Sequence, residues 1–81
     1  MTVAMMRPGQ AFRVKRIVLS REVGKRLADM GFTEGASGKV VRKSYFGGPM
    51  QVRIRHYDVV LRRSEAAGVE AELSTGDAAI A

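Results

Sequence analysis

The chain has no cysteine, no tryptophan, one histidine and two prolines among its 81 residues. Each scarcity narrows the chemistry. Without Cys there is no disulfide, no thiolate metal site and no thiol nucleophile. A nucleophile needs a base, and the single imidazole, His56, falls in a stretch that reads as a hairpin loop. No pair of carboxylates lies in an apolar context that would raise a pKa. The pattern therefore points away from an enzyme. No apolar run approaches the roughly 18 residues that would mark a membrane-spanning helix. The opening MTVAMMRPG is broken early by Pro8-Gly9 and does not read as a signal peptide. The expected location is the cytoplasm.

Acids are also scarce, and their distribution is uneven. All 14 Lys and Arg lie in residues 1–63, where only Glu22, Asp29, Glu34 and Asp58 oppose them. Residues 64–81 carry the other four acids and no base. A basic body with an acidic tail fits a mixed-charge soluble surface. It also fits a partner with an acidic surface, nucleic acid or anionic lipid. A chain of this length makes one domain with a small core.

What is present is a series of short alternating runs around one amphipathic segment. In Gly24–Gly35, and just before it, Val23, Leu27 and Met30 share one helical face. Ser20 is placed to cap the helix, and Glu22 in its first turn suits the positive end of the dipole. Gly31 stands where the helix needs a residue at positive φ to stop. Phe32 and Leu27 are then spaced for the apolar contact of a Schellman motif. A helix of about ten residues is marginal alone and must dock on the flanking strands.

The strands read in order. Ala11 to Leu19 alternates, with Phe12 and Val14 in one phase and Ile17 and Leu19 in the other, so a bulge is predicted near Lys15–Arg16. Gly38 to Tyr45 is a second strand, ended by Gly47-Gly48-Pro49, which reads as a hairpin loop and not as a phosphate loop. Met50 to Arg55 has the cleanest alternation, and Asp58 to Arg62 continues it. His56-Tyr57 is read as the two-residue loop between them, flanked by an Arg55–Asp58 pair. Ser64 caps a single helical turn to Ala67, and Val69 to Leu73 is a last strand. Met1–Met6 is read as a partly extended lead-in, and residues 74–81 as a disordered tail. The predicted core is Phe12, Val14, Ile17, Leu27, Met30, Phe32, Val40, Val52, Ile54, Leu61 and Val69. Five bent strands with one helix after the first make a mainly β protein, a small barrel.

Three places carry functional readings. Arg21, Lys25 and Arg26 lie on the outer helix face and suit an acidic partner. Tyr45 and Phe46 follow Arg42 and Lys43, and with the Arg53/Arg55 face they could stack nucleobases, the alternative reading being an RNA-binding module. No DNA partner is expected. His56 and Asp58 supply two metal donors, short of the four of a structural zinc site, so at most a weak transition-metal or metal-sensing site is expected there. No resident cofactor is expected.

Taken together, the ordered features resemble the ferrous iron transport protein A (FeoA) family. They are Pro8-Gly9, Arg26-Leu27 with Met30-Gly31, Gly35, Gly47 with Pro49, and Leu61-Arg62-Arg63 with Glu65-Ala66. The resemblance runs from Arg7 to Leu73, within a single expected domain over residues 1–73. It implies an SH3-like barrel with an inserted helix. It also implies a small cytosolic accessory protein of bacterial ferrous iron uptake. The implied partner is FeoB, a membrane permease with a cytosolic GTP-binding domain, which would bring the protein to the inner face of the membrane. Met30 stands where the family usually has Leu, Tyr45 where it often has Pro, and His56 where a hairpin Gly is usual. The expected partner-binding residues are Leu27, Met30 and Phe32 at the helix exit, with Lys25 and Arg26 beside them. Open edge strands leave self-association by edge pairing as a further outcome.

Overall fold

A computed structural model describes residues 1–74 of the chain. The expectation of a disordered tail beyond Ser74 lies outside the described residues. The first strand, β1 (Ala11–Ile17), leads through Ser20 into helix α1 (Arg21–Asp29). Strands β2 (Ser37–Lys43), β3 (Met50–Ile54) and β4 (Tyr57–Leu61) follow as a meander. A single turn of helix, α2 (Arg63–Ala66), then connects to β5 (Val69–Leu73). The strands form one antiparallel sheet in the order β4-β3-β2-β1-β5, with β4 and β5 at its edges.

Two bulges bend the sheet. One lies between Val14 and Arg16, where the alternation of β1 slips. The second lies between Val40 and Arg42 in β2 and leaves no comparable trace in the sequence, because Val40 and Val41 are both apolar. A bulge increases local twist and lets a strand turn a corner. The sheet thereby curls around one core of Phe12, Val14, Leu27, Phe32, Val40, Met50, Val52, Ile54, Leu61 and Val69, each at most 2% exposed. Ile17 and Met30, expected inside, are only half-buried at its margin. Gly38 lies over Phe12. A Cβ there would stand 2.6 Å from Phe12 Cζ and 2.8 Å from the Arg53 carbonyl oxygen.

The lead-in departs from expectation. Val3–Met5 forms a turn of 3-10 helix, and Val3 and Met6 are fully buried. Thr2 bridges to Glu70, and the Ala71 amide donates to the Met1 carbonyl at 2.9 Å. The segment covers part of the β5 edge. Its six residues are too few and too uniformly apolar to show a period, so burial was not legible there. Helix α2 also starts differently from the reading. Its cap comes from Glu65, whose Oε1 accepts from the Arg62 amide at 2.9 Å, and not from Ser64.

The β3–β4 hairpin is shifted by one residue from the expected register. Ile54 pairs with Tyr57 and Arg53 with Asp58, so the two-residue loop is Arg55-His56. Arg55 takes φ +58, the left-handed conformation that the loop demands. The cross-strand ion pair is therefore Arg53–Asp58, at 2.6 Å, and not Arg55–Asp58.

Candidate functional site

Helix α1 ends as its residue types dictate. Ser20 Oγ accepts from the Val23 amide at 3.3 Å and caps the start. At the end, Met30 is the C-cap and Gly31 has φ +109. The Phe32 amide donates to the Leu27 carbonyl at 2.9 Å and the Gly31 amide to the Ala28 carbonyl at 3.0 Å. These are the two bonds of a Schellman motif. They drive Phe32 into the core and leave Met30 at the rim.

The five residues expected to bind a partner therefore divide. Leu27 and Phe32 are fully buried and hold the fold together. Arg26 donates from Nη2 to Glu65 Oε2, tying α1 to the cap of α2, although its side chain stays largely exposed. Lys25 is exposed on the outer helix face. Met30 alone combines apolar character, partial exposure and a place at the helix exit.

Around Met30 the structure adds residues from the β3–β4 hairpin. Asp29, Met30, Tyr57, Asp58 and Val59 line a shallow, open groove of ≈ 330 Å³. A second hollow of ≈ 290 Å³ continues it past Gly31 to Arg55. Tyr57 is 66% exposed, and Val59 is half-buried. Arg55 clasps the two elements together. Its Nη2 donates to Thr33 Oγ1 at 3.2 Å, and its side chain crosses Gly31 so closely that a Cβ there would lie 3.4 Å from Arg55 Cδ. Strand β4 has no strand partner on its outer side among the described residues. An open strand edge beside an apolar groove offers both backbone hydrogen bonds and side-chain pockets to an extended segment.

Tyr57 and Val59 were missed as site residues, and Arg55 was read only as part of a face for RNA and not as a residue of this groove. The signal was present in part. Val59 and Leu61 read as inward, and Tyr57 shares their phase, but the misplaced loop removed Tyr57 from the strand. Nothing in the local sequence shows that Arg55 reaches Thr33, because that contact joins elements 22 residues apart.

The other expected sites separate as well. His56 is exposed in the turn. Both Asp58 oxygens accept from Arg53, at 2.6 and 3.1 Å, and Oδ2 also accepts from Gln51 at 3.2 Å. These hydrogen bonds hold the Asp58 carboxyl below its ordinary pKa, against an upward push from desolvation. Among the described residues no group of three or more His, Asp or Glu gathers to hold a metal. Tyr45 and Phe46 stand at one end of β3 and Arg55 at the other. A five-residue strand of about 17 Å intervenes, so these rings and that guanidinium do not share one platform.

The fold and this site define a class: a small, strongly bent, SH3-like β protein with an inserted helix and an open groove at the helix exit. Comparison with known proteins narrows it. The FeoA domain matches residues 1–73, and the chain belongs to the FeoA family. A fusion protein of Porphyromonas gingivalis, described as Fe(2+) transport protein A joined to the Fe(2+) transporter FeoB, is 41% identical over 54 residues. That match takes in 67% of this chain and 6% of the fusion protein. The solution structure of the FeoA protein from Chlorobium tepidum superposes with a TM-score of 0.85 at 29% identity, over 90% of this chain and 70% of that one. The zinc complex of FeoA from Stenotrophomonas maltophilia, described as a procaryotic SH3 domain protein, gives 0.78 at 26% identity over 89% of both chains. The family is associated with ferrous iron transport.

Proposed function

We propose that this chain is a non-enzymatic, cytoplasmic interaction module that binds and modulates an FeoB-type ferrous iron permease, through the permease's cytosolic GTP-binding region. The observation that carries the reading is the groove at the helix exit, where Met30, Tyr57 and Val59 present apolar surface beside the unpaired edge of β4. A relative in which the two kinds of protein are one polypeptide supports the choice of partner. Lys25, exposed one helical turn before the groove's Asp29, helps steer an acidic surface toward it, while Arg26 is engaged by Glu65. Iron is cargo of the partner in this reading.

The groove residues behave as hot spots because they are apolar and partly exposed, and their contact with a partner is shielded by a charged rim. Met30→Ser and Tyr57→Ser, assayed by calorimetric titration against the GTP-binding region, should each weaken binding by about tenfold or more. Amide spectra of the free variants should stay native-like. Native-like variants that bind with undiminished affinity would refute the assignment of the groove.

A further inference from the structure

The β2–β3 connection, residues 44–49, carries two aromatic rings that neither the core nor the groove uses. Tyr45 is 86% exposed and Phe46 105%. Phe46 also holds φ +60, a left-handed conformation that a bulky residue rarely adopts. The loop is nonetheless well tied. The Ser44 amide donates to the Pro49 carbonyl at 3.1 Å and the Gly48 amide to the Tyr45 carbonyl at 3.3 Å. From α2, Arg63 reaches across the base of the loop. Its Nη2 donates to the Ser44 carbonyl at 2.7 Å and its Nε to the Gly48 carbonyl at 3.1 Å. The two rings are held out from the body, at a cost in backbone strain.

Cations gather beneath the tip. Lys43 Nζ donates to the Met6 carbonyl at 2.9 Å. Its pKa is lowered by desolvation and then by the charges of Arg63 and Arg7, so Lys43 lies within the field of both. Arg42 is exposed on the same strand. No acid occurs between Glu34 and Asp58, and Asp58 is paired to Arg53. An apolar tip over a basic collar is complementary to an anionic lipid surface. Either part alone gives marginal attachment, whereas two signals together hold a protein at the bilayer.

The geometry points to a membrane-contact site in which Tyr45 and Phe46 enter the interfacial layer of an anionic bilayer while Arg7, Arg42 and Lys43 meet its phosphate headgroups. Aromatic rings favour that layer. RNA fits the same residues less well. Stacking needs ring faces laid along a basic groove that tracks the strand, and here the rings crown a convex tip with Arg53 and Arg55 at the far end of β3. The inference stands apart from the groove beside Met30, which lies toward the opposite end of β3, where the second hairpin meets the helix exit.

The test uses the absence of tryptophan. Phe46→Trp makes a sole indole reporter. With vesicles of equal phosphatidylglycerol and phosphatidylcholine, its emission should shift to the blue and be quenched by lipids spin-labelled near the headgroup. Phosphatidylcholine alone should produce neither effect. In flotation with the mixed vesicles, the Tyr45→Ser/Phe46→Ser double variant of the full chain should partition about tenfold more weakly than the wild type. Both rings are exposed, so the variant keeps its fold. An indole spectrum unmoved by anionic vesicles, or a double variant that floats like the wild type, overturns the proposal. So does binding of polyuridylate that the double variant loses, if vesicles are ignored.

Discussion

Single residues set the limits of this small fold. Asp58 illustrates the electrostatic limit. Its folded pKa is lowered by Arg53, so the stabilisation is present above the ordinary carboxylate value, 3.8, and is lost as pH falls through the lowered one. Thermal melts between neutral and strongly acid pH should show wild type losing its advantage over Asp58→Asn only at the acid end. A difference that stays constant across that range would contradict the assignment. Gly38 illustrates the steric limit. The Phe12 ring and the Arg53 carbonyl crowd its Cα, and the carbonyl is fixed by the β2–β3 ladder. Gly38→Ala should cost about 1–3 kcal/mol, read as a lower denaturation midpoint. From sequence alone Gly38 was only an odd residue in a strand, because the ring that excludes a side chain comes from 26 positions away.

At the scale of elements, α1 was the most legible part of the chain. Its cap, its apolar stripe and its glycine stop act within a few residues of one another, so local chemistry settles them. The bulge at Lys15 was legible for the same reason, since a slip of phase shows in the strand itself. The β3–β4 loop was not. His56-Tyr57 is a poor pair for a tight hairpin turn, and pairing of Ile54 with Tyr57 moves the loop to Arg55-His56. The Schellman end of α1, in contrast, explains why Leu27 and Phe32 belong to the core while Met30 stays half-buried at its rim. Leu27→Ala should therefore lower stability by about 2–5 kcal/mol. In a domain this small such a loss unfolds a substantial fraction of molecules, visible by circular dichroism. Met30→Ser should leave the spectrum nearly unchanged. If Leu27→Ala melts like the wild type, the division between core and site is wrong.

The whole molecule combines a curled sheet with two exposed features at opposite ends of β3. At one end lies the groove between Met30 and the β4 edge, and at the other the ring-tipped loop over a basic collar. No described helix is long and apolar enough to cross a membrane. In the functional account proposed above, the first feature meets the permease and the second meets the lipid around it, so both surfaces would be engaged at one place in the cell. The bent barrel and the family were readable from the ordered turns and alternations. The groove was not, because it forms only where the helix exit and the second hairpin converge.

The central claim is that the groove is the permease-binding surface. An amide-shift titration of the isotopically labelled chain with the cytosolic GTP-binding region of its cognate FeoB-type permease, at physiological salt, tests it most directly. The account predicts shifts centred on Met30, Gly31, Tyr57 and Val59, weakening toward Tyr45 and Phe46. A spectrum that does not change at saturating partner, or shifts confined to residues 44–49, would contradict it.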